Sequence, residues 1–264
     1  MILFPNAKIN IGLNILCKRE DGYHNLETIF YPINWKDSLE IIKSKEFKFT
    51  SSGIDIPGKG NLCVKAFDLL NKDFSLQNVH IHLHKNIPIG AGLGGGSSDA
   101  AFTLMGLNKI FHLNLTNTQL KKYGLMLGAD CPFFIDNKPC LAQGIGEELS
   151  SIDIDISKVF LLVATPDIHV STAMAYSNVI PSTPPIKLAT LISEPVSSWS
   201  MVNDFEKGIF ELEPKIKELK DVMNRNGAIY SSMSGSGSSV FGFFKQKPSF
   251  ELQNCRIHLQ QIIA

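Results

Sequence analysis

No stretch of this 264-residue chain approaches the ~20 consecutive apolar residues that a membrane-spanning helix needs. The opening MILFPNAK is too short an apolar run for a secretory leader, and Pro5 interrupts it. Neither sign of charge is in excess: 25 basic residues face 25 acidic ones, without a long block of either. A nucleic-acid role therefore lacks its electrostatic footprint, and a small-molecule ligand suits the chain better. Cysteine is sparse too. The five present (Cys17, Cys63, Cys131, Cys140, Cys255) are odd in number and include no Cys-x-x-Cys pair. That argues against a disulfide framework and a zinc site, and it fits a reducing compartment. Internal repeats and low-complexity tails are absent. The composition, 44% hydrophobic and 19% charged, is that of a cytoplasmic globular protein with no membrane and no nucleic-acid partner.

What is present is a mixture of two periodicities. Ile9, Ile11, Leu13 and Ile15 alternate with polar residues, which predicts a strand over Lys8–Leu16, followed by a turn at Arg19–Gly22 and a strand near Leu26–Ile33. DSLEIIKSKEFKFTS reads as edge-strand material. NLCVKAFDLLNKDF has helical spacing at Leu62, Ala66, Leu69 and Leu70, and VHIHLHK alternates strictly. Ala101, Leu104, Met105, Asn108 and Phe111 line one helix face, and a further helix covers Asn117–Leu127. GADCPFF reads as a loop into another strand, and the polar stretch Ser150–Ser157 as a lobe boundary, giving domains 1–150 and 151–264. Beyond it come a buried strand, VFLLVA, and a proline-rich loop (Pro181, Pro184, Pro185). A helix near Pro214–Asn224 stops at Gly227 in a C-terminal capping role, and two strands surround a glycine-serine turn in IYSSMSGSGSSVFGFF. Strands and helices mix without regular alternation, an α+β pattern.

IPIGAGLGGGSSDAA, between a strand and a helix, is the costliest stretch in backbone entropy. Strand, glycine loop and helix start form the arrangement in which backbone N–H groups and the positive end of a helix dipole hold phosphate. Ser97 or Ser98 is the expected helix cap. The loop is not a P-loop, since Gly96 precedes two serines and no lysine. It is not a dinucleotide fingerprint either, since no acid stands at Leu113–Thr118. A sterically required turn is the bland alternative. Asp99 suits the positive end of a helix but would repel a phosphate unless it points away.

PIGAGLGGGSSDAA resembles the second motif of the GHMP kinases, NAKINIGL their first, and SMSGSGSSVFG their third, in the family's order and across the whole chain. The resemblance implies a two-lobed α+β fold with the active site in the cleft between lobes. REDGYHNLETIF and GADCPFF are similar to the branch acting on a cytidine-diphosphate-linked methylerythritol in non-mevalonate isoprenoid synthesis. The implied reaction moves the γ-phosphate of ATP, with Mg²⁺, to that substrate's 2-hydroxyl. A homoserine- or mevalonate-type kinase and a non-catalytic nucleotide binder are the rival readings. Asp130 is the implied base and Lys8 its partner; taken blind, each is an ordinary solvated charge. ATP is expected on Pro88, Ile89, Gly90, Ala91, Gly92, Leu93, Gly94, Gly95, Gly96, Ser97 and Ser98, with Asn61 and Lys85 beside the adenine or ribose. Asn10 either bonds the acceptor diol or is a structural amide, and Tyr23 and His24 either form a cytosine site or a turn edge. Tyr176 falls on the other side of the base. Gly235, Ser236 and Gly237 either donate to the substrate diphosphate or form a plain hairpin turn. No protein metal cage is implied, and a monomer or weak homodimer is expected. His80, His82 and His84 imitate a metal site, but their spacing equally suits an exposed strand face whose other side is Val79, Ile81 and Leu83, and we read them as that.

Overall fold

The computed structural model describes residues 1–58 and 60–262. The first part of the chain runs β1 (Ile2–Leu3), β2 (Asn6–Lys18), β3 (His24–Lys36), β4 (Ser38–Lys43), β5 (Lys48–Gly53), α1 (Leu62–Phe74) and β6 (Val79–Lys85). It continues α2 (Gly95–Ile110), α3 (Asn117–Leu127), α4 (Cys131–Asp136), β7 (Cys140–Gln143) and β8 (Glu148–Ser151). The remainder runs β9 (Phe160–Pro166), α5 (Thr172–Ser177), α6 (Leu188–Leu191), α7 (Phe205–Leu212), α8 (Pro214–Arg225), β10 (Tyr230–Met233), β11 (Val240–Phe244) and β12 (Cys255–Gln261). The α+β expectation holds.

The packing divides the chain into two compact units, neither continuous in sequence. One holds Met1–Lys8, Pro32–Ile89 and Gly94–Lys138; the other holds Ile9–Tyr31, Gly90–Leu93 and the chain from Pro139 onward. The packing does not divide near residue 150, because Glu148–Ser151 is a strand paired with β7 from Gln143↔Glu148 to Cys140↔Ser151. The polar stretch marks an exposed sheet edge, a position that reads the same as a linker in sequence.

In the first unit a sheet runs in the order β1-β4-β6-β5. The alternation of β6 buries Val79, Ile81 and Leu83 completely and turns the histidines outward. Thr50 and Ser52 of β5 lie between those imidazoles: the Thr50 hydroxyl is 2.8 Å from His80 Nε2 and from His82 Nδ1. β5 is an edge, as expected, but β4 lies between β1 and β6. α1 buries Cys63, Ala66, Phe67 and Leu70, a face rotated slightly from the expected one. α2 is buried more widely than its single apolar stripe predicts, at Ala100, Ala101, Thr103, Leu104, Gly106 and Leu107, because α1, α3, α4 and β4 all pack on it. CPFF is a short helix and not a loop, with Pro132 in its first turn where a missing N–H costs nothing.

In the second unit one sheet has the order β10-β11-β9-β12, antiparallel throughout. A further sheet has the order β2-β3-β7-β8. β9 is central and its Leu161, Val163 and Ala164 are fully buried. β12 escapes a periodicity reading because its Arg256, His258, Gln260 and Gln261 belong to a half-exposed edge. Gly227 takes φ +87° and donates to the Asn224 carbonyl at 3.1 Å, closing α8 as expected. No helix among the described residues is long and apolar enough to cross a membrane.

Candidate active site

Within the first unit the glycine stretch opens α2, and its cap is not a serine. The N-cap is Gly94, at φ +67° and without a side-chain bond to the helix, while Ser97 and Ser98 already lie inside the first turn. A serine cap would need the extended backbone that the left-handed Gly94 does not have. Ser98 N–H is taken by the Gly94 carbonyl at 2.9 Å. The amides of Gly95, Gly96 and Ser97 have no intrahelical acceptor, and a 16-residue dipole stands behind them. This is the donor array that an anion of phosphate type can use.

Lys8 and Asp130 adjoin that helix start. Their charged groups are 3.4 Å apart; Lys8 is nearly fully buried, whereas the Asp130 side chain is about 33% exposed. A Cβ on Gly94 would come within 3.1 Å of the Lys8 chain and 2.9 Å of the Phe134 ring, so the backbone can pass over Lys8 only as glycine. Asp130 occupies the N-cap position of α4 yet makes no capping bond, so its carboxylate is not consumed by the helix. Ser97 also reaches toward α4, where it hydrogen-bonds the Cys131 thiol, which burial raises to about 12.

Lys85 and Asp99 are elsewhere than the sequence suggests. Asp99 is the fifth residue of α2 and 2% exposed, so it is not an acid at the helix mouth. Its Oδ2 accepts from Lys85 Nζ at 2.8 Å, and Lys85 also pairs with the fully buried Asp37. Asp37 Oδ1 accepts the backbone N–H groups of Asn86 (2.6 Å) and Ile87 (2.8 Å), which fixes the entry to the glycine stretch. The Lys85 ammonium lies beneath the helix start, since a Cβ on Gly95 would sit 2.9 Å from Nζ. Burial pulls the Lys85 pKa down, but the charges of Asp99 and Asp37 outweigh it and the pKa stands above the ordinary value. Burial pushes the Asp99 carboxyl up to about 8, with Lys85 working against the rise and Asp37 adding to it. Asn61 caps α1, its Oδ1 accepting from Cys63 N–H at 2.8 Å.

Within the second unit the three glycine-bearing motifs converge. Asn10 donates from its backbone to Ser234 Oγ (3.2 Å) and from its amide to Thr28 (3.0 Å). The Ser234 hydroxyl donates to the Gly92 carbonyl (2.8 Å), and Ser239 N–H to the Ala91 carbonyl (3.2 Å). Gly92, at φ +76°, is needed because a Cβ would overlap the Ser234 carbonyl. The Gly235–Gly237 turn is held from beneath by Asn203, which donates to the Met233 and Gly235 carbonyls at 2.8 Å each. Glu206 accepts from Met233 N–H (2.7 Å) and pairs with Lys220 (2.6 Å). His24 stacks on Tyr176, ring centres 4.8 Å apart, and Tyr176 meets Phe205 edge-on. Tyr23 precedes His24 in sequence and is 61% exposed.

Sequence reasoning missed Asp37, Asn203 and Glu206. Each sits in a polar stretch that looks like surface, and only the fold reveals the backbone groups it satisfies.

Comparison with known proteins identifies the family. Residues 61–138 match the model of the GHMP kinases N terminal domain and residues 189–255 that of the GHMP kinases C terminal. The 4-diphosphocytidyl-2-C-methyl-D-erythritol kinase of Cytophaga hutchinsonii is 50% identical over 100% of this chain and 99% of its own. That of Bacteroides fragilis is 50% identical over 97% and 98%. A crystal structure of a 4-(cytidine 5'-diphospho)-2C-methyl-D-erythritol kinase superposes with a TM-score of 0.79 at 33% identity, covering 92% of this chain and 89% of that one. Methanococcus jannaschii mevalonate kinase, 15% identical with a TM-score of 0.70 over 99% and 98% of the chains, shares the fold. The chain belongs to the GHMP kinases and, among them, to the family of the 4-diphosphocytidyl-2-C-methyl-D-erythritol kinases.

Proposed function

We propose that this protein transfers the γ-phosphate of ATP to the 2-hydroxyl of 4-diphosphocytidyl-2-C-methyl-D-erythritol, giving the 2-phosphate and ADP, in non-mevalonate isoprenoid (terpenoid) precursor synthesis. The observation that carries the chemistry is the uncapped, glycine-started α2 beside the Lys8–Asp130 pair. Phosphoryl transfer asks the protein for positioning and charge stabilisation more than for covalent chemistry. The phosphates of ATP rest on the amides of Gly95, Gly96 and Ser97. Asp130, a third exposed and with no capping duty, takes the proton of the attacking hydroxyl. Lys8, its ammonium 3.4 Å from that carboxylate, stabilises the developing alkoxide.

Magnesium would enter with ATP, held mainly by the nucleotide and water, and would supply neutralisation of the phosphate charge. Among the described residues no group of three or more histidines, cysteines or acids could hold an ion. Gly90–Leu93, Pro88 and Ile89 complete the nucleotide loop, and Asn61 flanks the adenine or ribose. Lys85, bound to two buried carboxylates, supports the loop from below in place of contacting adenine. Asn10 and the Gly235–Ser236–Gly237 backbone address the polyol and its diphosphate, while Tyr23, His24 and Tyr176 receive the cytosine. As sequence domains, 1–150 and 151–264 are the two family halves, a reading supported by the matched spans 61–138 and 189–255. We assign the protein to the cytoplasm as a monomer or weak homodimer; that no disulfide joins its five cysteines supports the compartment.

The test is ADP release with MgATP, comparing the cytidine substrate with the same methylerythritol phosphate lacking cytidine. Rapid turnover of the cytidine compound alone is expected. Turnover of neither, with ATP bound tightly, would overturn the substrate and direct the panel to homoserine and mevalonate. Within that assay Tyr23→Ala should raise the KM for the cytidine substrate about tenfold, since a base–aromatic stack contributes ~1–3 kcal/mol. An unchanged KM would place the base elsewhere.

A further inference from the structure

The Asp37–Lys85–Asp99 cluster contains one more carboxylate than ammonium, and the mechanism does not use it. All three side chains are at most 3% exposed. Asp37 is the better satisfied of the two acids: it pairs with Lys85, and its Oδ1 accepts two backbone N–H groups. Asp99 is the surplus acid. Its Oδ2 shares the Lys85 ammonium, while its Oδ1 is buried with no hydrogen-bond partner among the described residues. A buried carboxylate oxygen without a donor is costly, and a proton removes that cost together with the net negative charge.

The groups that face Asp99 are Lys85 from β6, Asp37 from the turn before β4 and the Cys63 thiol from α1. Burial raises the thiol so far that it stays neutral, so it supplies no compensating charge. Lys85 Nζ lies directly under Gly95, the first residue of α2. Whether that ammonium is shared by one carboxylate or two therefore sets the potential behind the amides at the helix start. With both acids ionised the cluster is anionic, and it opposes the anion that the helix terminus attracts. With Asp99 protonated the cluster is neutral, and the helix dipole acts undiminished.

We propose that Asp99 is a positioning residue that takes up one proton when nucleotide phosphates occupy the start of α2, so that nucleotide affinity is linked to pH through the buried Asp37–Lys85–Asp99 cluster. The proposal rests on the assignment of that helix start to ATP. The linkage has a definite sign. Binding favours the protonated form, so affinity falls as pH rises above the pKa of the free protein, by up to tenfold per pH unit, and is flat below it.

The test is calorimetric titration of the wild-type protein with MgADP at pH 8.5, in a series of buffers that differ in ionisation enthalpy. Phosphate groups with a second pKa near 6 are already fully ionised there and take up no proton themselves. The expected result is uptake of a substantial fraction of one proton per nucleotide, with affinity about tenfold weaker at pH 9.5 than at pH 7. Asp99→Asn, a neutral isostere, should bind MgADP at pH 7 within about threefold of wild type, lose the pH dependence and show uptake near zero. Binding by wild type without proton uptake would overturn the proposal, whether or not the variant folds. Equal uptake by a folded Asp99→Asn protein would do so as well. Absence of any MgADP binding by wild type would instead overturn the nucleotide assignment, and the proposal with it.

Discussion

Asp130→Asn should lower kcat by about 10²–10⁴-fold while MgATP still binds, the range expected when a positioned general base is lost. The substitution is nearly isosteric and removes one negative charge. Asp130 makes no capping bond to α4 and a third of its side chain is exposed, so the helix does not depend on its carboxylate. The change does remove a carboxylate 3.4 Å from the nearly buried Lys8 ammonium, so a stability loss on the order of 1 kcal/mol accompanies it. A loss of turnover far beyond what that small fall in Tm explains is thus the signature of a chemical role. Lys8→Met should damage kcat more than ATP affinity, and the double variant should be little worse than either single one, because the pair acts as a unit. Single-turnover kinetics at saturating ATP, with a melting curve for each variant, would check this. Retained turnover by Asp130→Asn would move the base to another residue.

Gly92→Ala should be the most damaging single methyl group in the molecule. Two independent terms combine there. The backbone sits at φ +76°, where an L-residue costs ~1–2 kcal/mol, and the added Cβ would overlap the Ser234 carbonyl oxygen and stand 2.8 Å from its carbon. Neither neighbour is the free end of a side chain. Gly92 and Ser234 are tied by the bond from the Ser234 hydroxyl to the Gly92 carbonyl, and Ser234 Oγ in turn accepts from Asn10 N–H. Relieving the overlap therefore displaces a buried network and adds the ~1–3 kcal/mol of an overpacked interior. The sum lowers Tm by an amount of order 10 °C in a protein of this size. Gly96→Ala is the control: it lies inside α2 without a positive φ, and the nearest atom to its Cβ would be Leu62 Cδ1 at 3.6 Å. Its Tm should hold or rise, since alanine favours a helix interior over glycine by ~1 kcal/mol. Equal Tm values for the two variants would refute the packing account of Gly92.

The contrast between these two glycines shows how far a sequence reading reaches. The stretch Gly90–Gly96 reads as a phosphate cradle because its composition is unusual, and α2 does begin there with free amides. The individual reasons differ along it, however. Gly92 is required by the Ser234 carbonyl, Gly94 by Lys8 and Phe134, and Gly95 by Lys85 and Ile87. Ser234, Lys8 and Phe134 lie far away in the chain, and Lys85 and Ile87 meet Gly95 only because the loop folds back on them, so periodicity does not reveal the reason. Asp99 and Lys85 mislead a local reading for a related cause: an acid near a helix start and a lysine before the loop suit a dipole and a ligand, until the fold sets Lys85 between Asp99 and Asp37. Asp37 itself, in WKDSL, resembles any turn residue.

The chain by itself determined the α+β class, the strand alternation of β2 and β6, the span of α3, the capping glycine of α8 and the three glycine-bearing motifs. These follow from periodicity, turn chemistry and backbone entropy, which act over a few residues. Only the tertiary structure decided that the packing units are interleaved, that Gly94 caps α2, and that CPFF is helical. It also brought Asn10, Gly92 and Ser234 together and left one buried acid beyond its counter-charge. Those outcomes depend on which distant groups share a desolvated space, a quantity that closes only when the chain has folded.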